Sequence, residues 1–146
     1  MTIVIDSREQ RPYTFDNRET VVKRLPVGDY SIEGYETQIT VERKSLDDFV
    51  NTVMNDWKRF DNELHRMRNF SHKAIVVETG IDAVLRGTDE PVSRAHPSAY
   101  MAKMFLIQNQ FGVSVQFAGS RPAAVWFTEQ FLWHAWKELV SENENT

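Results

Sequence analysis

The stretch GDYSIEGYETQITVERKSLDDF, from Gly28 to Phe49, has the pattern of two strands joined by a turn and followed by a helix. Two strand-like arms, PVGDYSI and TQITVERK, surround the residues EGYE. A turn centred between Tyr35 and Glu36 closes this hairpin. It would place Asp29 opposite Glu42, because residues equidistant from the turn face each other in an antiparallel pair. The stretch therefore predicts two carboxylates whose Cβ atoms lie about 4.5–5.5 Å apart.

The end of the second arm carries charges that suit a specific chemistry. Side chains alternate along a strand, so Glu42 and Lys44 project from the same face. Carboxylates as close as Asp29 and Glu42 repel each other when they are removed from water, and a divalent cation between them reverses that repulsion. Hard oxygen ligands without a nearby His or Cys suit Mg²⁺ or Mn²⁺, and Lys44 would orient or deprotonate a water or hold a phosphate oxygen. The spacing alone is equally typical of a solvated strand edge.

Strands and helices alternate along the rest of the chain. Short apolar runs predict strands at Thr2–Ile5, Thr20–Leu25, Ala74–Glu78 and Val113–Phe117. Apolar residues at helical spacing predict one helix or two nearly continuous helices from Leu46 to Met67 after Ser45 as N-cap, a short helix after Thr79-Gly80, and helices at Pro97–Phe111 and Pro122–Val140. A loop, GTDEPVSRA, separates the short helix from the next. This order predicts a single α/β domain over residues 1–146, with a mixed central sheet flanked by helices and a frayed tail at 141–146.

The composition excludes several classes of protein. The chain of 146 residues contains no cysteine, which excludes disulfides, thiolate metal sites and a thiol nucleophile and leaves the cytoplasm as the default location. It begins without a signal-peptide pattern and contains no run of about 18 apolar residues that could span a membrane. A hydrophobic fraction of 41% and a charged fraction of 26% are typical of a soluble globular domain.

The distribution of charge is uneven. The formal net charge of -4 argues mildly against a nucleic-acid partner. Between Lys58 and Lys73, however, five basic residues stand against two acidic residues, Asp61 and Glu63. This segment is either a solvated helix face or a surface that contacts a nucleic-acid backbone.

The signature GDY followed by ERKSLDD, at residues 28–30 and 42–48, resembles that of the XPF-family structure-specific DNA endonucleases. The resemblance extends over nearly the whole chain, through the segments IVIDSREQ, VERKSLDDFVNTV, RFDNEL, AIVVE and VSVQFAGSRPAAVWFTEQFL. It implies a three-layer, restriction-endonuclease-like nuclease fold with Mg²⁺ or Mn²⁺ as cofactor. The tandem helix-hairpin-helix module that usually follows this domain has no counterpart in the sequence. We therefore expect a free-standing nuclease domain, or one whose DNA-gripping partner is a separate protein.

The resemblance also implies roles for individual residues at the metal. Asp29 and Glu42 would be metal ligands, joined by the main-chain carbonyl of Arg43. Asp6 would lie at the edge of the metal site and bind the ion directly or through water. Lys44 would activate or position the attacking water. These five residues form the core of the predicted catalytic site.

Other positions are expected to act less directly. The side chain of Arg43, on the strand face opposite Glu42, would brace Asp48 or the scissile strand. Asp48 completes the signature as a catalytic residue, and it is equally explained as a carboxylate in the first turn of a helix. Arg8 would contact phosphate, with Glu9 bracing it. The basic side chains predicted to bind DNA are Arg8, Lys58, Arg59 and Arg66.

These features predict a metal-dependent endonuclease that cuts branched, flap or fork DNA. A Holliday-junction resolvase or restriction-like nuclease shares the same arrangement of acids and Lys, and it stays an alternative. A non-catalytic DNA-binding scaffold subunit is the alternative outside enzymes. The presence of Asp29, Glu42 and Lys44 together counts against a scaffold, because clustered carboxylates without a ligand cost folding free energy.

The last predicted helix carries apolar residues around more of its circumference than packing on one side requires. Two stripes and two further tryptophans make up this surface: Ala123, Phe127, Phe131 and Ala135; Val125, Leu132, Trp136, Leu139 and Val140; Trp126 and Trp133. The pattern favours a homodimer formed through this helix, which the resemblance also implies, over a deeply buried terminal helix. A cytoplasmic location is expected, with the nucleoid or, for a phage-encoded protein, in the host cytoplasm.

Overall fold

Six strands form one mixed sheet in the computed structural model, which describes residues 1–86 and 95–145. The strands are β1 (Thr2–Asp6), β2 (Glu19–Lys23), β3 (Tyr30–Ile32), β4 (Ile39–Lys44), β5 (His72–Val77) and β6 (Ser114–Phe117). Their order across the sheet is β2-β1-β3-β4-β5-β6. β3 is antiparallel to both β1 and β4, and the pairs β1–β2, β4–β5 and β5–β6 are parallel. The C-terminal ends of β1, β4 and β5 therefore lie at the same edge of the sheet, together with the start of β3.

Helices cover both faces of this sheet. They are α1 (Leu46–Met54), α2 (Trp57–Arg66), α3 (Ile81–Arg86), α4 (Pro97–Phe111) and α5 (Arg121–Glu144). α1 to α4 share a hydrophobic core with one face of the sheet, and α5 packs on the opposite face. β5 shows the division, since Ile75 and Val77 belong to the first core and Val76 to the second. Three layers result, which confirms the predicted α/β fold with a mixed sheet flanked by helices.

The predicted hairpin is formed by β3 and β4. Tyr30 pairs with Val41, and this register leads directly to Asp29 and Glu42 at the next position. Gly28 precedes Asp29 with a φ of 79°, in the left-handed region that favours glycine. A Cβ at this position would overlap the Thr40 side chain. Glycine is therefore required where the chain approaches β4 and turns into β3.

The helices predicted next to the signature are confirmed, and the structure decides between one helix and two after Ser45. The Ser45 side chain accepts a hydrogen bond from the backbone N–H of Asp48 at 3.1 Å and begins α1 as the predicted N-cap. Asn55 and Asp56 then interrupt the helix, so the alternative of two helices is the right one. α4 has the predicted bounds, and Gly112 ends it with a left-handed φ of 65°.

Several predicted bounds differ from the structure. β2 ends at Lys23 rather than Leu25, because the backbone N–H of Leu25 donates to Asp6 Oδ1 instead of extending the strand. β5 begins at His72 rather than Ala74. α5 continues past the predicted end at Val140 as far as Glu144, so most of the segment predicted as a tail is helical. The loop predicted at GTDEPVSRA lies, apart from Ala95, outside the described residues. Within the described parts of the chain, no helix combines the length and the apolarity that a membrane crossing requires.

Candidate active site

Three strand ends meet where the signature residues lie. The backbone N–H of Asp6, at the end of β1, donates to the carbonyl of Asp29 at 2.8 Å. The backbone N–H of Asp29 donates in turn to the carbonyl of Val41 in β4 at 2.9 Å. The main chains of β1, β3 and β4 thus fix the relative positions of Asp6, Asp29 and Glu42.

Asp29, Glu42 and Lys44 form one polar cluster, in which Glu42 is buried and the other two residues are half-buried. Asp29 Oδ2 accepts the backbone N–H of Arg43 at 2.7 Å. The Glu42 residue is only 8% exposed, and its Oε1 lies 3.1 Å from Lys44 Nζ. The ammonium of Lys44 also lies 5.6 Å from the centre of the Phe60 ring. The structure therefore brings together the two acids and the amine that the hairpin pattern predicts.

The electrostatics of this cluster favour a bound cation. Burial, together with the negative charge of Glu42, raises the pKa of Asp29 to about 8. Burial also raises the pKa of Glu42, although Lys44 opposes this shift. Burial lowers the pKa of Lys44, but the charge and hydrogen bond of Glu42 more than offset that effect, so the pKa is raised and Lys44 is an ammonium. One ammonium does not compensate two buried carboxylates, and a divalent cation would stabilise both in their charged form.

The Arg43 side chain lies on the other face of β4 and contacts two acids there. Its Nη2 is 2.7 Å from Oε1 of Glu78, which follows β5, and its Nη1 is 3.8 Å from Oε1 of Glu9. Bracing of Asp48 by Arg43, one of the roles expected from the signature, has no counterpart among these contacts. Asp48 is exposed in the first turn of α1, which agrees with its interpretation as helix chemistry.

Both oxygens of Asp6 are occupied by the protein itself. Oδ1 accepts the backbone N–H of Leu25 at 2.8 Å, and Oδ2 accepts Nε of Arg8 at 2.8 Å. Burial raises the pKa of Asp6, but the hydrogen bonds from Arg8 and Leu25 more than offset this, and the pKa is lowered. The residue is 3% exposed. In this arrangement Asp6 orients Arg8, and its role as a metal ligand stays a prediction.

A cavity of about 240 Å³ opens beside Glu42 and Lys44. The residues that line it are Glu42, Lys44, Thr52, Asp56, Arg59, Phe60 and Glu63. A second groove of about 370 Å³ is lined by Asn55, Asp56, Lys58, Arg59 and Asn62. Asp56 and Arg59 line both, so the cavity and the groove are neighbours at the junction of α1 and α2. Of the predicted DNA-binding residues, Lys58 and Arg59 lie on this path.

The other predicted DNA contacts lie elsewhere. Arg8 is about half exposed and is held by Asp6 and by the carbonyl of Leu25. Its pKa is raised first by its hydrogen bond to Asp6, with a smaller contribution from Asp29, so its charge lies within electrostatic reach of the cluster. Arg66 is exposed and 3.9 Å from Glu63, and it is not among the residues that line the cavity or the groove.

Three acids approach the cluster from other elements, and sequence reasoning gave two of them, Glu63 and Glu78, no role. Glu63 lines the cavity from α2, and Glu78 binds Arg43 from the end of β5. Glu9 lies close enough to contribute to the raised pKa of Asp29, after burial and Glu42. All three lie in segments that resemble the family, IVIDSREQ, RFDNEL and AIVVE, but only Glu9 had an expected role, as the brace of Arg8. The positions of Glu63 and Glu78 depend on packing between distant segments, which no local pattern reports.

The donors at this site fit Mg²⁺ or Mn²⁺. In the described residues, no three His, Cys, Asp or Glu side chains are grouped as a complete metal site. Mg²⁺ commonly uses only one or two carboxylates and takes its remaining ligands from water and substrate phosphate, which Asp29 and Glu42 would allow. Glu9 Oε2 is buried and has no hydrogen-bond partner in the described parts of the chain. An acceptor without a partner, together with carboxyl groups whose pKa values are raised, is consistent with a site that binds a cation.

Comparison with known proteins gives the fold and the family. XPF from Aeropyrum pernix is similar with a TM-score of 0.74 and 20% sequence identity, over 99% of this chain and 69% of that chain. A structure of XPF from Aeropyrum pernix in complex with DNA is similar with a TM-score of 0.71 and 22% identity, over 94% of this chain and 66% of that one. The "putative ATP-dependent RNA helicase" of Methanocaldococcus jannaschii is 29% identical over 119 residues, which are 79% of this chain and 13% of that protein.

The family is shown by a match of a different kind. The family model described as ERCC4 domain matches residues 5–131, which run from the end of β1 through every strand and helix up to the first half of α5. The match contains Asp6, Asp29, Glu42 and Lys44. The chain therefore belongs to the ERCC4 domain family.

Proposed function

We propose that the chain is a metal-dependent DNA endonuclease that hydrolyses phosphodiester bonds at branched, flap or fork structures. The observation that carries this proposal is the half-buried Asp29 opposite the buried Glu42, which lines a polar cavity together with Lys44. Membership of the ERCC4 domain family supports a nuclease. The complex of Aeropyrum pernix XPF with DNA supports DNA as the substrate.

Asp29 and Glu42 would hold Mg²⁺ or Mn²⁺, with the main-chain carbonyl of Arg43 as a further ligand. When bound, such an ion lowers the pKa of a coordinated water and stabilises negative charge on phosphate oxygens. The backbone N–H of Arg43 keeps Asp29 oriented through Oδ2. The proposed ligands are thus pre-oriented by the hairpin.

Lys44 acts in this proposal as a donor rather than as a base. Its pKa is raised because Glu42 more than offsets the effect of burial, so the side chain is charged at neutral pH. An ammonium held at the cavity wall can donate a hydrogen bond to a phosphate oxygen as charge develops there. This function needs no proton transfer to Lys44.

The DNA backbone would follow the neighbouring cavity and groove over the junction of α1 and α2. Arg59 lies where the two meet, and Lys58 lines the groove beyond it. Both cations are exposed, so they can reach phosphates without leaving buried partners. Arg8, placed by Asp6, would approach the same strand from the β1 side.

Cleavage of end-labelled flap, fork, four-way and plain duplex DNA in Mn²⁺, Mg²⁺ and EDTA tests the proposal. We expect metal-dependent cutting of branched DNA that is lost in Asp29→Ala and retained in Asp47→Ala, which removes an exposed carboxylate from α1. Equal cutting of plain duplex would contradict the structural specificity. Symmetric paired cuts in the four-way junction would favour a resolvase, and DNA binding without cleavage would favour a scaffold.

A homodimer formed through α5 belongs to the same proposal. Trp126 on this helix is 65% exposed, and a groove of about 380 Å³ beside it is lined by Phe127 and Phe131. Light scattering should show a dimer that Trp126→Ser weakens. Phe105→Ser, which alters an aromatic residue of α4 that is 54% exposed, serves as the control and should leave the mass unchanged. A nuclease of this kind would act in the cytoplasm, where a separate DNA-gripping protein would meet it.

A further inference from the structure

Glu78, at the end of β5, contacts β4, the N-terminal loop and α5. The side-chain contacts of Glu78 lie on the face of β4 opposite the proposed site. Its backbone N–H donates to the carbonyl of Lys44 at 3.0 Å. Its side chain binds Nη2 of Arg43 through Oε1 at 2.7 Å. Glu78 therefore contacts the last two residues of β4 at once, one through the main chain and the other through the carboxylate.

The second oxygen of Glu78 is also engaged. Oε2 accepts the hydroxyl of Tyr13 at 3.0 Å and lies 3.5 Å from Nη1 of Arg121, at the start of α5. Nη2 of Arg121 donates to the carbonyl of Arg11 at 2.7 Å. The carboxylate is thus held from the N-terminal loop and from α5, and it cannot turn away from Arg43 without breaking several contacts.

Glu9 competes with Glu78 for the same guanidinium. Arg43 Nη1 is 3.8 Å from Glu9 Oε1, whereas its contact with Glu78 is 2.7 Å. Glu9 Oε2 is buried without a hydrogen-bond partner in the described residues, so Glu9 would accept a closer approach of Arg43. Loss of the charge on Glu78 would therefore draw Arg43 towards Glu9. The main chain of Arg43, which donates to Asp29 Oδ2, would move with it.

We propose that Glu78 is a positioning residue that holds Arg43 on the far face of β4 and thereby fixes the orientation of Asp29. This inference rests on the proposed function, because Asp29 is the ligand whose orientation is at stake. Glu78 is neither one of the proposed ligands nor one of the residues that line the cavity beside Lys44. Its effect passes through the main chain of one residue.

The test compares Mn²⁺ affinity in Glu78→Gln and in a matched control. Glu129→Gln is that control, since Glu129 also pairs with an arginine, Arg18, at 3.1 Å and is similarly part-buried, but on α5. Mn²⁺ binding is measured by calorimetry well below the unfolding temperature of each variant. We expect about 10-fold weaker binding in Glu78→Gln, the lower end of what loss of an outer-shell partner costs, and no comparable loss in Glu129→Gln.

Tyr13→Phe keeps the inference testable if Glu78→Gln folds poorly. It removes one hydroxyl contact to Glu78 and retains the ring that packs in the core. A few-fold loss of Mn²⁺ affinity is expected in a protein that remains folded. Mn²⁺ affinities of Glu78→Gln and Tyr13→Phe equal to those of Glu129→Gln and the wild type would overturn the positioning role.

Asp29→Ala in the same titration separates this inference from the proposed function. If the wild type binds Mn²⁺ and Asp29→Ala does not, the proposed metal site stands whatever Glu78→Gln shows. If the wild type binds no Mn²⁺ that depends on Asp29, the metal site and the role of Glu78 are both overturned.

Discussion

Both faces of β4 carry acids and cations, but the two faces differ in how these charges are paired. The face of Glu42 and Lys44 is called the open face, and the face of Arg43 the closed face. On one face, the carboxylate of Glu42 and the ammonium of Lys44 line an open cavity, and the acids there exceed the cations. On the other face, Arg43 pairs with Glu78, and Arg121 closes the network. The excess of acid on the open face can bind a cation, whereas on the closed face Glu78 is already paired with two arginines. One strand thus supplies both a site and its support.

The largest effect on activity is expected when the open face loses an acid. We expect Glu42→Gln to reduce metal-dependent cleavage by more than the roughly 100-fold that loss of an outer-shell partner costs, because Glu42 is a proposed ligand. The fold should survive, since the variant removes a buried charge and keeps the side-chain shape. Cleavage rates and circular dichroism together check this. Cleavage within a few-fold of the wild type would remove Glu42 from the site.

A second substitution separates the proposed role of Lys44 from that of the two proposed metal ligands. Lys44→Met should lower the cleavage rate by about 10²–10³-fold, the cost of removing one donor to developing charge. Mn²⁺ affinity should stay equal or increase, because a cation has left the neighbourhood of Asp29 and Glu42. Single-turnover kinetics and Mn²⁺ titration give the two quantities. Lys137→Met, on α5, is the control, and a loss of Mn²⁺ affinity in Lys44→Met would contradict the assignment.

The excess of acid on the open face also predicts how stability depends on pH without metal. In the folded state the pKa of Asp29 is raised to about 8 by burial and by Glu42, from an ordinary value of 3.8. The folded protein therefore binds a proton between about pH 4 and pH 8 that the unfolded chain has released, and the free energy of unfolding falls as pH rises through this window. Asp29→Asn has no such proton to lose.

In EDTA, Asp29→Asn should therefore be more stable than the wild type near pH 8, on the order of 5 kcal/mol, and nearly equal to it near pH 4. Urea unfolding across this range measures the difference. Asp47→Asn, which changes an exposed carboxylate in α1, should run parallel to the wild type. A difference between Asp29→Asn and the wild type that does not change with pH would show that the carboxylate is not destabilised in the folded protein.

The sequence predicted the open face far better than the closed face. Asp29, Glu42 and Lys44 lie within one hairpin, so alternation along a strand and the position of the turn suffice to bring them together. Ser45 reinforced this prediction, because an N-cap is a local requirement. The closed face depends on β5 pairing with β4 and on α5 reaching the N-terminal loop, and no pattern within either segment reports those contacts.

Asp6 shows a different limit of sequence reasoning. Its place at the end of β1 was predictable, but the state of its carboxylate depends on hydrogen bonds from Arg8 and Leu25. A signature gives the type of residue at a position and not the partner that each oxygen finds. The same limit applies to Asp48, whose residue type fits a catalytic signature and a helix N-terminus equally well.

The smallest expected effect concerns cations on the rim of the open face. Arg59 lines both the cavity and the groove, whereas Arg66, also on α2, is exposed outside them. Arg59→Ala should weaken binding of a flap substrate in Ca²⁺ and reduce the slope of log affinity against log salt by about 1, because one phosphate contact is lost. Arg66→Ala should change neither quantity to the same extent. Equal effects of the two variants would mean that DNA follows the whole exposed side of α2. The open face would then extend beyond the cavity and the groove at the packing of α1 and α2.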